Sequence, residues 1–301
     1  MSRRSALLVA ALMMLAACSD ATTGAGTTVP AATAPSTTTT VGATTTTAVA
    51  TTTSTIAPTT LPPSTVAATT LPSTTVAPTG ADDFLGEETI GLSAQGRPIT
   101  VSHRGTAGGT VILVVGVIHG NENAGLAILD DLRTMPLPQG VDLWLMPALN
   151  PDGLANNVRH NGNGVDLNRN FPHDWTQVAQ PGDWEYSGTG PASEPETQAF
   201  IAFANRIKPH LTLWYHQDLH RVSPSNRKDG PLRQKYAELT GLEYVAVTGG
   251  TYTGVAATWV RTTVSESMSF IVELGPTLSA EEAAVHADAV LQIVVMAQSI
   301  P

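Results

Sequence analysis

The sequence predicts an α/β fold of three layers, a mixed and mostly parallel sheet flanked by helices. Three consecutive segments carry that expectation. Val111–Val117 (Val-Ile-Leu-Val-Val-Gly-Val) is a short, continuous apolar run rich in β-branched residues, the pattern of a strand buried on both faces. Ala124–Leu132 then shows apolar residues at helical spacing, and Val141–Met146 returns to strand character. Strand, helix and strand in that order argue for parallel strands joined by a covering helix.

The later elements extend the alternation. Ser193-Glu-Pro-Glu196 has a serine three residues before a glutamate with proline between them, which predicts a capping box opening a helix through Ala199–Ile207. Leu211–Tyr215 and Ser269–Leu274 read as strands. Ser279-Ala-Glu-Glu282 opens a last helix that runs to about Ala297 with one apolar face. Between them lies a stretch dense in Asn, Gly, Asp and Pro, from Asn150-Pro-Asp-Gly153 to Asn161–Pro172, which predicts irregular backbone of the kind that carries binding groups on a rigid sheet.

All of this falls within 84–301, one domain with room for a full core. The chain before it is of another kind. Arg3 and Arg4 precede an apolar run from Ala6 to Ala17, too short for a membrane span and of the size of a signal-peptide core. The run ends in Leu15-Ala-Ala-Cys18, which resembles the bacterial lipoprotein box. The resemblance implies a signal peptide over 1–17 and lipid on Cys18, the one cysteine of the chain. Residues 18–83 are Thr, Ala, Pro, Val and Ser with few exceptions, and between Ser19 and Ala81 the only charge is Asp20. Such a segment cannot build a core and reads as a disordered linker. At ~3 Å per extended residue it would reach on the order of 150–200 Å. The net charge of −10 argues against nucleic acid as a partner. With one cysteine there is no intrachain disulfide and no cysteine cluster, so a bound metal must be held by histidines and carboxylates.

The chemistry-bearing residues cluster at predicted strand ends. His119 follows the first buried strand, Gly120 allows a sharp turn, and Glu122 comes three residues later, so that both side chains can converge on one ion. The loop Arg159–Pro172 adds two arginines among paired asparagines. Glu273 stands at the carboxyl end of Ser269–Leu274, where open α/β sheets place their sites.

Taken together, His119-Gly-Asn-Glu122, Gly164-Val-Asp-Leu-Asn-Arg-Asn-Phe-Pro172 and Glu273-Leu-Gly-Pro276 resemble the zinc metallocarboxypeptidases of the carboxypeptidase A superfamily. The short interval from Arg159 to Asn168 is similar to that of the bacterial murein peptide amidase branch. The resemblance spans nearly all of 84–301 and implies one zinc per chain, with His119 and Glu122 as its first two ligands and a histidine at a later strand end as the third. His216, directly after Leu211–Tyr215, is favoured; His220, four residues on, is the alternative and fits the ligand segment of aspartoacylase relatives. The resemblance further implies Glu273 as general base, Arg159 as oxyanion stabiliser, and Asn168 with Arg169 as the carboxylate-binding pair. Tyr252, in Gly249–Gly254, is the nearest counterpart of the family's mobile tyrosine, although counting back from Trp259 points nearer Gly250. Ala256-Ala-Thr258, where digestive members choose their side chain, holds no charge that declares a specificity. His103, His160, His173, His210 and His286 are read as surface or packing residues.

The expected activity is therefore zinc-dependent hydrolysis of an amide bond in carboxylate-bearing peptides, with peptidoglycan stem peptides as the expected substrate. The chain is expected to be exported and held by lipid on the outer side of the cytoplasmic membrane or cell surface. Two other classes remain: an N-acyl amino acid deacylase of the aspartoacylase or succinylglutamate desuccinylase type, and a non-catalytic wall-binding lipoprotein.

Overall fold

The computed structural model describes residues 83–250 and 252–301. The signal segment, Cys18 and nearly all of the Thr/Pro-rich stretch lie outside them. Eight strands form one mixed sheet: β1 (Phe84–Leu92), β2 (Pro98–Gly105), β3 (Thr110–Val117), β4 (Val141–Ala148), β5 (Leu211–Gln217), β6 (Arg221–Val222), β7 (Glu243–Tyr244) and β8 (Met268–Leu274), in the order β1-β2-β4-β3-β5-β8-β6-β7. β4, β3, β5 and β8 run parallel at the centre. β1 and β2 extend one side antiparallel, and β6 pairs antiparallel with β8 on the other.

The parallel core follows from the composition of its strands. Side chains alternate across a strand, so β3 turns Ile112 and Val114 to one face and Leu113 and Val115 to the other, all fully buried. On the first face they meet α1 (Gly125–Leu132), α4 (Gly230–Thr240) and α6 (Ala280–Ala297) through Ile128, Leu132, Tyr236, Val290 and Ile293. On the second they meet α3 (Pro195–Ile207) and α5 (Ala256–Thr263) through Phe200, Phe203, Trp259 and Val260. Three layers result, as the sequence predicts. A short α2 (Pro151–Asn156) and a single 3-10 turn, Leu167–Arg169, sit at the carboxyl ends of the central strands.

Both predicted helix starts can be checked. At α6 the Ser279 side chain accepts from the Glu282 amide, and the Glu282 carboxylate accepts from the Ser279 amide, a reciprocal cap. The box predicted at Ser193–Glu196 does not form. Glu194 stands at the N-cap position of α3 with no side-chain cap bond, and the Glu196 carboxylate is drawn inward to the Ala94 amide (2.9 Å) and the Asn161 side-chain amide (2.9 Å). Long-range partners outcompete the local one. His216 also lies within β5, which runs two residues further than predicted, to Gln217.

Candidate metal centre

The carboxyl ends of β3, β5 and β8 supply the site. β3 ends at Val117, and the chain turns through His119 with the Glu122 amide donating to the His119 carbonyl (3.0 Å). Gly120 is required there: a Cβ would meet the Gly153 carbonyl carbon at 1.8 Å, so only glycine lets this turn lie against α2. β5 brings His216, and its parallel pairing with β8 sets His216 directly beside Glu273. His119, Glu122 and His216 each place one ligand atom within 4.8 Å of the others, and all three are buried.

The geometry of the donors fits one zinc. Nδ1 of His119 lies 2.9 Å from Glu122 Oε1, and Nδ1 of His216 lies 2.9 Å from Glu122 Oε2, so both rings face one carboxylate. His119 Nε2 lies 3.0 Å from Asp166 Oδ1. A carboxylate only accepts, so Asp166 holds the ring hydrogen on Nε2 and leaves the Nδ1 lone pair turned toward Glu122 and His216. Two imidazole nitrogens and one carboxylate form the three-ligand set of a catalytic zinc, which keeps a fourth position open.

The charges are coupled. Burial works against the protonated form of His119, but the Asp166 carboxylate, by charge and hydrogen bond, together with Glu122, raises its pKa above the ordinary histidine value. That same basicity makes Nδ1 a strong donor to a cation. Burial alone would raise Glu122; the adjoining His119 and His216 imidazoles outweigh it and hold the carboxyl well below its usual range. Asp166 is likewise depressed against its burial, by His119, Arg159 and Arg169. Glu273 goes the other way, raised first by burial and also by the neighbouring Glu122 charge.

The predicted arginines converge on the same place. Arg159 spans Asp166 (2.7 Å) and Glu122 (3.0 Å), and its guanidinium lies 5.1 Å from the centroid of the exposed Trp184 ring. Arg169 donates to the Asn168 carbonyl (3.0 Å) and pairs with Glu185. Asn168 is turned away from Arg169's fork, its Oδ1 accepting from the Ala256 amide (3.0 Å), which ties the start of α5 to the loop. Tyr252, 58% exposed, sits at the rim with its ring 5.8 Å from the Arg169 guanidinium. Gly254 lets that loop approach, since a Cβ there would lie 2.2 Å from the Arg169 carbonyl oxygen. His220 falls outside the cluster. It follows β5 with a positive φ of 48° and lines a separate cavity with Glu282 and His286.

Three site features are absent from the sequence reading. Asp166 orients a ligand histidine, and its signal lies inside the Gly164–Pro172 motif, two residues before Asn168. Trp184 and Glu185, which engage the two arginines, come from an aperiodic loop with no such signal. The charge of the side-chain cavity is also corrected. Ala256-Ala-Thr258 is uncharged, but Arg261, one helical turn beyond Thr258, and Arg233 of α4 both line the cavity beside Glu273.

This fold and this site define a zinc-dependent hydrolase of the carboxypeptidase class, and comparison with known proteins agrees: the chain belongs to the zinc carboxypeptidase family, whose model matches residues 81–223. Among its relatives, murein peptide amidase A of Escherichia coli K12 is 30% identical over 210 residues, covering 66% of this chain and 84% of the relative. The crystal structure of the murein-tripeptide amidase from Escherichia coli O157 superposes with a TM-score of 0.57 at 27% identity, over 72% of this chain and 93% of that one. Carboxypeptidase A from Helicoverpa armigera shares the fold, with a TM-score of 0.64 at 17% identity over 72% of this chain and 69% of that one.

Proposed function

We propose that this chain is a cell-wall peptidase that hydrolyses an amide bond in peptidoglycan stem peptides, releasing a residue that bears a free carboxylate. The observation that carries it is the register of β5 on β8, which sets Glu273 beside the His119–Glu122–His216 cluster on a chain similar to murein peptide amidases. Zinc, when bound, supplies Lewis acidity and lowers the pKa of water toward neutrality. Glu273, its pKa raised by burial, takes the proton of the attacking water and passes it to the leaving amine. Arg159, held rigid by Asp166 and Glu122, offers a fixed positive charge where the carbonyl oxygen becomes negative. Arg169 binds the substrate carboxylate in place of Glu185, since a guanidinium fork takes either carboxylate in the same geometry. Tyr252 closes the rim above it.

The proposal extends to location. The apolar run before Cys18 and the Thr/Pro-rich linker after it support export and lipid anchoring, with the linker as a tether that lets the domain reach the wall. The test of function is incubation of the zinc-loaded protein with a murein tripeptide and a panel of muropeptides, followed by mass analysis. Release of the terminal diamino acid is expected. Products lacking only an N-acyl group would support the deacylase class instead, and no product from any member would contradict the proposal.

A further inference from the structure

Trp184, in the loop before α3, belongs to neither face of the core. It is 61% exposed, the highest value among the large apolar residues of the described chain. An indole left in water forgoes the gain of burial, and a rigid one forgoes it at a fixed place. This one is rigid. Its carbonyl accepts from His160 Nε2 (2.9 Å), and the two rings meet edge to face with centroids 6.2 Å apart. Two residues on, the carbonyl of the buried Tyr186 accepts from the Asp166 amide (2.8 Å), and the fully buried Ser187 hydroxyl accepts from the Val178 amide (2.9 Å). The backbone under Trp184 is therefore strapped to the same Asp166 that orients His119.

Trp184 and Glu185 are consecutive and diverge. Glu185 pairs with Arg169, which takes the carboxylate of the released residue. Trp184 turns to Arg159, whose guanidinium lies 5.1 Å from its ring centroid. Arg159 faces the scissile carbonyl, and Trp184 takes no part in the cavity beside Glu273, which Tyr252 borders. With the released residue held at Arg169 and Tyr252, the indole is left to the other half of the substrate, the acyl part that precedes the scissile bond. Its reach is bounded. A carbonyl oxygen sits ~3 Å from the guanidinium nitrogen that stabilises it, so the ring lies at most about 9 Å from that oxygen. An extended chain advances ~3.4 Å per residue, so the second residue before the bond meets the ring and a sugar beyond the peptide does not.

We infer that Trp184 is the platform of an acyl-side subsite, on which the second residue before the scissile bond lays its peptide plane and short apolar side chain. The inference rests on the peptidase reading and deepens it: the enzyme reads its substrate on both sides of the bond and selects peptides with at least two residues ahead of it. An indole face suits that class, because it covers a flat amide and an aliphatic group without requiring a hydrogen bond from either. It selects for chain length more than for side-chain identity.

The test is calorimetric binding to the zinc-loaded Glu273→Gln protein, in which peptides stay uncut. The ligands are a murein tripeptide, the dipeptide that lacks its first residue, and the tripeptide still bearing its muramyl sugar. Covering on the order of 60 Å² of apolar surface corresponds to roughly tenfold in affinity. The tripeptide is therefore expected to bind about tenfold more tightly than the dipeptide, with the sugar adding less than about twofold. When Trp184→Ala is added, the tripeptide-to-dipeptide ratio should fall to within about twofold of unity, and Trp184→Phe should keep most of it. The same ratio is read as kcat/KM in the native enzyme. Thermal unfolding confirms that the variants are folded, and the ratio measured with Trp184 in place decides independently of them. A role confined to holding Arg159 would weaken both peptides alike and leave the ratio unchanged in Trp184→Ala, which would overturn the inference. Equal binding of the two peptides with Trp184 in place would overturn it as well, and so would a gain that appears only with the sugar. A tripeptide preference without hydrolysis of any muropeptide by the native enzyme would reject the peptidase reading alone, while hydrolysis without the preference would reject this inference alone.

Discussion

Tyr215 and His216 are neighbours on β5 and face opposite sides of the sheet, and each leads to a buried histidine of opposite character. Behind the sheet, Tyr215 hydrogen-bonds Tyr236 (3.0 Å), which in turn contacts His286 Nδ1 (2.8 Å). In front, His216 shares Glu122 with His119. The exposures of His286 and His119 are nearly the same, 4% and 2%. Burial pushes the His286 pKa down to about 4, with Glu282 opposing and His220 assisting. Burial also works against His119, but Asp166 and Glu122 reverse the result. Depth alone therefore does not make a site. A buried imidazole becomes a metal ligand where a hydrogen-bonded carboxylate fixes its tautomer and raises its basicity; where its hydrogen-bond partner is a phenol, it is a packing residue.

The comparison can be broken most severely at the third ligand. His216→Ala should abolish stable zinc binding, because only two protein ligands remain, whereas His220→Ala should keep about one zinc per chain. Metal analysis of the purified variants decides it, and the reverse pattern would transfer the ligand role to His220. A smaller effect is expected one step out: Asp166→Asn should weaken zinc affinity by ~10–100-fold without removing the site, since it loses the charge that supports His119 but keeps an acceptor. Competition with a chelator measures this, and unchanged affinity would mean that the His119 tautomer is fixed by something else.

The smallest effect lies behind the sheet. His286 is neutral in the folded protein down to about pH 4, while in the unfolded chain it takes a proton near pH 6.5. The unfolded state then binds more protons between those values, so stability falls as pH is lowered through that window. This group should cost the wild type ~2 kcal/mol between pH 7.5 and pH 5. His286→Leu should lack that part of the pH dependence and bind zinc normally. Urea unfolding at both pH values checks the slope, and parallel wild-type and variant curves would show that His286 titrates alike in both states.

The same contrast explains how much was legible in the sequence. The central strands and α6 could be read because their signals are local: apolar runs, and a serine followed three residues later by a glutamate that does cap. The edge strand β1 is not legible, since Phe84–Leu92 carries two glycines and no continuous apolar run and lies largely at the surface, and α5 is an eight-residue helix containing three threonines and a valine, which have modest helix propensity. His119, Glu122, His216 and Glu273 were readable because each sits at a strand end beside a recognisable motif. Asp166, Glu185 and Arg261 were not assigned roles. What gives them meaning is a partner brought close only by the fold: His119 for Asp166, Arg169 for Glu185, and the cavity wall across from α5 for Arg261. The false cap at Ser193 fails for the same reason, as Glu196 is claimed by Ala94 and Asn161, 102 and 35 positions away in sequence.

Glu273→Gln tests the central claim most directly, with zinc content and steady-state turnover of a murein tripeptide measured on the same samples. Glutamine keeps the shape of Glu273 and removes its basicity, so about one zinc per chain should remain while kcat falls by ~10²–10⁴-fold or more. Near-normal turnover in the zinc-loaded variant would contradict the assignment of Glu273 as proton carrier, and loss of the zinc would make it a ligand.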